Sequence, residues 1–265
     1  MSESERIQWH RAQYWDSGCT FNPYVGCSPD VWTSPACANC YAHEISDRFA
    51  MTDNFKPTPK PKAVMPKKGI CFCGNMTDLF GTWVTHTEWI AWFNMMWRFS
   101  IKTMRFEHNP AAYLWLTKRA SRLKEAMDDQ NVAKFAGGSY FGITAENDEW
   151  YEKRMEYVAD LAMRKHTLGF KLWLSVEPML GDVNIGEDAP FDWVVVGCES
   201  GSKRRPCPIE RVEKVVAQCL DQNIPVFVKQ LDINGVCERD INKFPEALRI
   251  RQMPFASCAK KAVAK

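Results

Sequence analysis

The sequence lacks a long apolar run. None of its 265 residues lies in an uninterrupted apolar stretch of about 18 or more, so no membrane-spanning helix is expected. The first segment, MSESERIQWH, contains no apolar signal region. The formal net charge is only +2, which excludes a strong overall attraction to nucleic acid and leaves that role to local basic patches. We therefore expect a protein of the reducing cytoplasm with no membrane partner.

Cysteine, in contrast, is plentiful. Eleven cysteines in a reducing compartment argue against disulfides and indicate metal ligands together with buried thiols. Hydrophobic residues make up 46% of the chain and charged residues 25%, as in an ordinary soluble globular protein. A chain of this length can bury a sizeable core without covalent staples.

Short apolar runs alternate with helical patterns along the chain. Several of these runs are continuously apolar, which is typical of strands buried on both faces. The predicted strands cover residues 20–25, 69–73, 112–116, 140–144, 171–176, 193–197 and 225–228. The predicted helices cover residues 42–51, 87–101, 120–128, 148–165 and 210–222. This alternation indicates βαβ units and a parallel sheet. Six or seven units predict an α/β fold with a complete or partial TIM-like barrel, and a doubly wound open sheet is the alternative.

The pattern predicts a single domain over residues 1–250. Residues 56–68, KPTPKPKAVMPKK, are predicted to form a basic loop inserted into that domain, because proline at this density prevents a helix. Residues 251–265, which end in SCAKKAVAK, are predicted to form a loosely ordered basic tail.

The strongest chemical signal is a group of three cysteines after the first predicted strand. Cys27, Cys37 and Cys40 have the spacing C-x9-C-x2-C. Soft thiolates bind iron–sulfur clusters or zinc, and full ligation of an iron–sulfur cluster usually takes four thiolates. Three cysteines therefore leave one iron of a [4Fe–4S] cluster open. S-adenosylmethionine (SAM) can chelate that iron, and an electron from the cluster then breaks a sulfonium bond to give a 5′-deoxyadenosyl radical.

These residues also carry a family resemblance. The stretch NPYVGCSPDVWTSPACANCYAHEISDRF resembles the opening of a phage- and prophage-encoded radical-SAM-like barrel family of poorly known function. Further motifs follow in the family's order, up to about residue 230: NMTDLFGTWV, LWLTKRASRL, FGITAEN, LWLSVEPMLG, DWVVVGCESG and PVFVKQ. Spore photoproduct lyases are more distantly similar. The sequence departs from the familiar C-x3-C-x2-C spacing in its longer first gap. The resemblance implies a radical SAM barrel, an external electron donor such as flavodoxin or ferredoxin, and the cytoplasm of an infected bacterium as the location.

The resemblance also suggests how SAM is bound. Asn75, Thr77 and Asp78 match the positions where this superfamily holds the amino-acid end of SAM. Polar residues follow the other predicted strands, where barrels of this kind place their chemistry. Of these, Lys118 is expected to pair with the SAM carboxylate. The remaining candidates are Thr144 or Glu146 for the ribose hydroxyls, Ser175 for SAM or substrate, and Tyr41 as a cover for the cluster.

Three further residues at the strand ends are candidates for catalysis. Glu177 and Glu199 are expected to exchange protons or to bind a cationic part of the substrate, because carboxylates in a barrel mouth often have shifted pKa values. Cys198 is a candidate radical partner. For each strand-end residue, simple loop capping is the competing interpretation.

Basic residues favour a nucleic-acid substrate. Lys60, Lys62, Lys67 and Lys68 lie in the Pro-rich loop, and Lys203, Arg204 and Arg205 follow the sixth predicted strand. Basic side chains near aromatic rings suit a phosphate backbone and its bases. Together with the phage resemblance, they predict an enzyme that modifies or rearranges a base in DNA, such as an already modified thymine. A flipped-out base would be needed.

Two alternatives remain open at this stage. The same radical chemistry could act on a peptide, a tRNA or a free nucleotide. A protein of a different class, a non-catalytic binding module, could hold zinc on Cys19, Cys27, Cys37 and Cys40. Neither the substrate nor the oligomeric state follows from the sequence.

Overall fold

A computed structural model describes residues 18–28, 34–67, 69–106, 112–201 and 203–254. Its main feature is an eight-stranded sheet whose neighbouring strands follow one another in chain order. Seven strands are parallel to their neighbours. They are β1 (Gly18–Phe21), β4 (Ile70–Cys73), β5 (Ala112–Thr117), β6 (Ser139–Thr144), β7 (Lys171–Val176), β8 (Trp193–Gly197) and β9 (Val226–Ile233). The predicted α/β fold with a parallel sheet is therefore confirmed.

The last strand, β10 (Val236–Glu238), runs antiparallel to β9. The two are joined by Asn234 and Gly235, whose φ angles of 52° and 72° are those of the tight turn that favours Asn-Gly in hairpins. Beyond this hairpin, Arg251 forms an isolated antiparallel bridge with Phe227 of β9. The outer edge of β9 is thus occupied, and β1 does not pair with β9 or β10 among the described residues. No closed barrel is found there.

Six α-helices occur in the described part of the chain. They are α1 (Tyr41–Arg48), α2 (His86–Phe106), α3 (Ala120–Asp128), α4 (Gln130–Ala133), α5 (Asp148–Leu168) and α6 (Ile209–Asp221). The longest with both ends described is α5. It begins where the Asn147 side chain accepts a hydrogen bond from the Trp150 amide, and it ends at Gly169 with φ of 73°. None of the described helices is long and apolar enough to cross a membrane.

The two faces of the sheet have different partners. On one face, alternate strand residues join buried residues of α2, α3, α5 and α6 in a single core. The other face has a separate core of strand side chains that contains no helical residue. Strands that follow chain order and carry their helices on one face form a singly wound sheet. The doubly wound alternative, which needs a reversal of strand order, is wrong.

The helix-free face is filled by aromatic rings. The rings of Trp173 and Trp193 lie 5.3 Å apart, and those of Trp193 and Phe227 lie 6.3 Å apart. The side chain of Trp173, a residue of β7, extends over β6. Its indole N–H donates to the backbone oxygens of Tyr140 on β6 and Trp115 on β5. A Cβ atom at Gly142 would lie 2.2 Å from the Trp173 ring, so only glycine fits at this position.

The loop between β1 and β4 adds a small second sheet. Its two strands, β2 (Tyr24–Val25) and β3 (Thr58–Pro59), pair antiparallel. Residues 56–67 form no helix. Residue 68 and residues 255–265 lie outside the described residues, so the predicted tail is described only over residues 251–254.

We predict that Gly142→Ala lowers the free energy of unfolding by about 1–3 kcal/mol, because the added methyl group overlaps the Trp173 ring. Urea denaturation followed by Trp fluorescence measures the change. Gly137→Ala is the control, since its nearest contact would be an ordinary 3.4 Å from Leu168 O. Equal loss of stability in both variants would contradict the overlap with Trp173.

Candidate functional site

The three cysteines of the C-x9-C-x2-C motif lie on one loop, residues 26–28 and 34–40, which we call the cysteine loop. Cys27 follows β2, Cys37 lies in the 3₁₀ helix Pro35–Asn39, and Cys40 is the residue before α1. All three are half-buried. Burial raises the pKa of Cys27 and Cys40, and the charge of Cys37 acts in the same direction on both thiols.

Local backbone geometry sets the start of this loop. Gly26 has a φ of 92°, and a Cβ atom there would lie 2.3 Å from the Lys56 backbone oxygen. This close approach lets the Cys27 amide donate to the Phe55 oxygen at 2.9 Å and the Gly26 amide donate to the Met76 oxygen at 3.0 Å. The loop is thereby attached to the segment that follows β4.

The Arg119 guanidinium group contacts Cys27. Both of its terminal nitrogens, Nη1 and Nη2, lie 3.7 Å from the Cys27 sulfur. Nη1 also lies 2.9 Å from Asp78 Oδ2. Burial raises the pKa of Cys27 to about 11, and the Arg119 charge opposes that rise. The arginine therefore favours the thiolate form, which is the form that ligates metals.

Asp78 is fully engaged within the protein. Its Oδ1 accepts hydrogen bonds from the Phe80 amide and the Thr117 hydroxyl, at 2.9 and 2.8 Å. Its Oδ2 accepts from the Lys118 amide at 3.1 Å and from Arg119. The carboxylate predicted to hold the amino-acid end of SAM thus already has four donors, and it acts on the site through Arg119.

Asn75, Thr77 and Tyr41 are linked to one another or to the cysteine loop by hydrogen bonds. The Tyr41 hydroxyl donates to the Asn75 backbone oxygen at 2.5 Å, and the Thr77 hydroxyl donates to Gly26 O at 2.7 Å. The Tyr41 residue is 42% exposed although its hydroxyl is enclosed. Burial raises the pKa of Tyr41, and the charges of Cys40 and Glu177 raise it further. Tyr41 therefore links the start of α1 to the segment that follows β4.

Lys118 carries an uncommitted positive charge. In the part of the chain that the structure describes, its ammonium group has no hydrogen-bond or ion-pair partner, whereas Asp78 pairs with Arg119. Burial raises the pKa of Cys40, and the Lys118 charge acts against that rise. An anion near Cys40 would therefore find a free cation beside it.

Two buried oxygens at the end of β6 also lack partners. Thr144 and Glu146 are fully buried, and neither Thr144 Oγ1 nor Glu146 Oε1 has a hydrogen bond among the described residues. The other carboxylate oxygen, Glu146 Oε2, accepts from Arg154 Nη1 at 2.8 Å. Buried polar atoms without partners are costly, so this pair is suited to a bound molecule with hydroxyl groups. Ser175 lies next to this pair, because it is the register partner of Thr144 on β7.

Glu177 is held by two residues in the middle of β9. Its Oε1 accepts from Lys229 Nζ at 2.7 Å and from Gln230 Nε2 at 2.8 Å. Gln230 also donates to the Cys198 backbone oxygen at 2.7 Å. The Cys198 thiol is fully buried and lies 3.8 Å from that of Cys237, so it faces another thiol in the described structure.

Glu199 connects the end of β8 to the cysteine loop. Its carboxylate accepts from Arg205 Nη2 at 2.5 Å and Nε at 3.0 Å, and from Asn39 Nδ2 at 3.3 Å. Arg205 Nη1 in turn donates to the Pro35 backbone oxygen at 3.1 Å. Burial acts to raise the pKa of Glu199, but the hydrogen bonds from Arg205 outweigh it and lower the pKa. We call this group the Glu199 clamp.

Most of the described basic candidates lie on two segments that flank the cysteine loop, but Lys67 lies just before the start of β4 and over the Phe99 ring of α2, so the structure does not bring it to this loop. The pairing of β3 with β2 places Lys60 and Lys62 beside it, and the Lys60 amide donates to Pro23 O. On the other flank, the Lys203 backbone oxygen accepts from Asn39. Lys62, Lys67 and Lys203 are exposed, Lys60, Arg204 and Arg205 are half-buried, and Lys68 lies outside the described residues. Arg205 is already engaged by Glu199.

The donor set of the cysteine loop is three thiols, which are the usual ligand type of an iron–sulfur cluster. No group of three or more Cys, His, Asp or Glu side chains in the described ranges is arranged to hold one metal ion. The fourth cysteine of the zinc alternative, Cys19, lies on β1 opposite Cys71, and its thiol donates to Ile70 O at 3.3 Å. The thiolates of a cluster each bind a different iron and therefore stand farther apart than the ligands of one ion. The three thiols are the residues that would hold a cluster, with Arg119 in contact with one of them, Cys27.

Two contributors could not be selected from the sequence. Arg119 is one of three consecutive polar residues after β5, and only the structure shows that it is the one directed at Cys27. Asn39, within the C-x2-C segment, links that segment to Glu199 across 160 positions of the chain. The sequence pointed only to Arg119, because it lies at the end of a predicted strand, where site residues are expected.

Comparison with known proteins gives a family match. The family described as "Protein of unknown function (DUF5131)" matches residues 5–247, which is most of the chain. No curated protein and no solved structure matches it.

We predict that Glu199→Gln loosens the cysteine loop and exposes the Cys37 thiol. A hydrogen bond to a charged group contributes about 1.5–3 kcal/mol, so alkylation of Cys37 by iodoacetamide should become roughly ten times faster or more. Peptide mass spectrometry after timed labelling measures the rate at each cysteine. Glu238→Gln is the matched control, since that carboxylate pairs with Lys243 outside the clamp. An unchanged Cys37 rate in Glu199→Gln would show that the clamp does not hold the loop.

Proposed function

The chain belongs to this family, the DUF5131 proteins, and we propose that it is a radical SAM enzyme. It would bind a [4Fe–4S] cluster on Cys27, Cys37 and Cys40 and reductively cleave SAM to a 5′-deoxyadenosyl radical. The product radical would modify or rearrange a base in DNA, such as a modified thymine. The proposal includes the finer fold statement that the open sheet is a partial barrel with its chemistry at the carboxyl ends of the strands.

One observation carries the proposal: the surroundings of the three thiols at the carboxyl edge of the sheet. The charge of the free Lys118 ammonium group acts to lower the pKa of Cys40, and the unpartnered Thr144 Oγ1 and Glu146 Oε1 lie at the end of the neighbouring strand β6. A cation for a carboxylate and acceptors for hydroxyl groups are what SAM needs besides iron. The three features come from three separate segments of the chain.

The residues of the site would divide the binding of SAM among them. Lys118 would pair with the SAM carboxylate. Thr144 and Glu146 would accept hydrogen bonds from the ribose hydroxyls, which would satisfy their two lone oxygens. Asn75 and Thr77 would shape the subsite for the amino-acid end through their contacts with Tyr41 and with Gly26. When bound, the cluster supplies the electron that breaks the sulfonium bond, and a flavodoxin or ferredoxin supplies that electron to the protein.

The remaining candidates would act on the substrate side. Tyr41, with an exposed ring and an enclosed hydroxyl, would cover the cysteine loop. Ser175, on β7, would contact SAM or substrate. Glu177 would hold or accept a proton and share it with Lys229. Glu199 would serve this site through the clamp, and Cys198 would need to turn away from Cys237 to act as a radical partner.

A DNA substrate is supported by the two basic flanks of the cysteine loop. Lys60 and Lys62 lie on one flank, and Lys203 with Arg204 lies on the other. Phosphate groups of the DNA, bound on both flanks, would centre one DNA strand over the three thiols. A base flipped from that strand would then point at the site.

Anaerobically purified protein should be brown and contain about four iron and four sulfide per chain. Cys37→Ala should lose the colour and most of the iron, because two thiolates hold a cluster poorly. Cys219→Ala, which removes a buried thiol of α6, is the control and should keep the colour. Visible spectra with iron and sulfide assays measure this. A colourless wild-type protein that contains about one zinc would contradict the proposal.

Reduced protein with SAM should form 5′-deoxyadenosine and a new nucleoside in phage DNA. Lys60→Ala/Lys62→Ala should raise the KM for DNA by roughly tenfold, because lost phosphate contacts weaken binding to any sequence. Nucleoside analysis by mass spectrometry follows both products, and Lys153→Ala, a substitution on the surface of α5, is the control. No new nucleoside with any DNA would exclude DNA as substrate. An unchanged KM would favour a free nucleotide.

A further inference from the structure

The Arg119 guanidinium group is directed at Cys27 by contacts on two other sides. Nη1 and Nη2 both lie 3.7 Å from Cys27 Sγ, a distance typical of weak N–H···S hydrogen bonds. On a second side, Nη1 forms an ion pair with Asp78 at 2.9 Å. On a third, the guanidinium lies over the Trp83 ring, 5.0 Å from its centre. These contacts leave the group little freedom to turn away from the sulfur.

The charge of Arg119 acts in a poorly solvated place. Its side chain is 8% exposed and that of Asp78 is 11% exposed. Thr117 fixes both partners, because its hydroxyl donates to Asp78 and accepts from the Arg119 amide at 2.8 Å. Electrostatic interactions are stronger where water is excluded. The cation therefore affects the Cys27 sulfur more than an exposed arginine would.

We infer that Arg119 is a positioning residue that raises the reduction potential of the proposed cluster through its N–H···S contacts with Cys27. The inference rests on the proposed function. One-electron reduction by a flavodoxin or ferredoxin makes the cluster and its thiolates more negative. Hydrogen bonds and positive charge at a ligand sulfur stabilise that reduced form, and both are known determinants of the potential. Arg119 thus makes reduction easier.

Lysine cannot replace arginine in this arrangement. The planar guanidinium offers several N–H groups in one fork, so it can contact the Cys27 sulfur with two nitrogens and Asp78 with one of them. A lysine ammonium is a single point on a flexible stem, and Asp78 would attract it away from the sulfur. A role that needs only charge would tolerate lysine, whereas a role that needs the fork would not.

The test is the midpoint potential of the cluster in the full-length, reconstituted protein without SAM. Dye-mediated titration followed by electron paramagnetic resonance measures it in wild type, Arg119→Met and Arg119→Lys. Arg122→Met is the matched control: this arginine lies over Trp89 and pairs with Glu125 one helical turn away. Because Arg119→Met leaves Asp78 buried without its cation, the double variant Asp78→Asn/Arg119→Met provides a form without an unpaired charge.

We expect the double variant to fold with the iron content of wild type and with a more negative potential. Its melting temperature should be lower, because an Asn side chain has one acceptor oxygen for the donors that Asp78 satisfies with two. The potential of Arg119→Met should shift further to negative values, since a negative charge stays near Cys27. Arg119→Lys should fall between wild type and Arg119→Met, and Arg122→Met should match wild type. Potentials equal to wild type in all Arg119 variants, or a folded double variant that binds no iron, would overturn the role of Arg119 while leaving the proposed function intact. Wild-type protein without a cluster would remove both.

Discussion

Parallel pairing of seven strands in chain order is the constraint on which the site depends. Each of these strands ends at the same edge of the sheet, so the segments after β4, β5, β6, β7, β8 and β9 all meet there. The cysteine loop lies at that edge because its contacts are to residues that follow these strands. Cys27 meets Arg119 after β5, Cys40 lies near Lys118, and Pro35 and Asn39 are bound through Glu199 after β8. The topology thus supplies partners from across the sheet to one short loop.

Hydrogen bonding separates the polar residues at this edge into two groups. Both carboxylate oxygens of Asp78 and of Glu199 accept hydrogen bonds from protein donors. Asp78 thereby fixes Arg119, and Glu199 fixes Arg205. Lys118, Thr144 and Glu146 keep at least one polar atom without a partner in the described structure. Unsatisfied buried groups cost free energy unless a ligand satisfies them. The first group therefore builds the site, and the second is available to bind a molecule.

The electrostatics of the cysteines follow from competing effects of burial and neighbouring cations. Burial raises the pKa of Cys27 and Cys40, whereas Arg119 and Lys118 act to lower it. Metal ligation needs thiolates, so these two cations favour cluster assembly at each thiol. Their roles differ in geometry: Arg119 is locked by Asp78 and Trp83, whereas the Lys118 ammonium group is free of protein partners.

Local sequence patterns determined much of this protein. Apolar runs predicted the parallel strands from β4 to β9, and the C-x9-C-x2-C spacing identified three candidate ligands, because each of these signals lies within one short segment. The first predicted strand, residues 20–25, is instead divided between β1 and β2, which belong to different sheets. Local patterns could not predict that the described sheet stays open instead of closing into a barrel. A two-residue Asn-Gly turn sends β10 back along β9, and β10 then occupies the edge that a closed barrel would need.

The roles of Asp78, Arg119 and Glu199 were decided only by tertiary structure. Arg119 and Cys27 are 92 positions apart, and Asn39 and Glu199 are 160 apart. A side chain's hydrogen-bond partners depend on which distant segments the fold brings to it, and no local periodicity encodes that meeting.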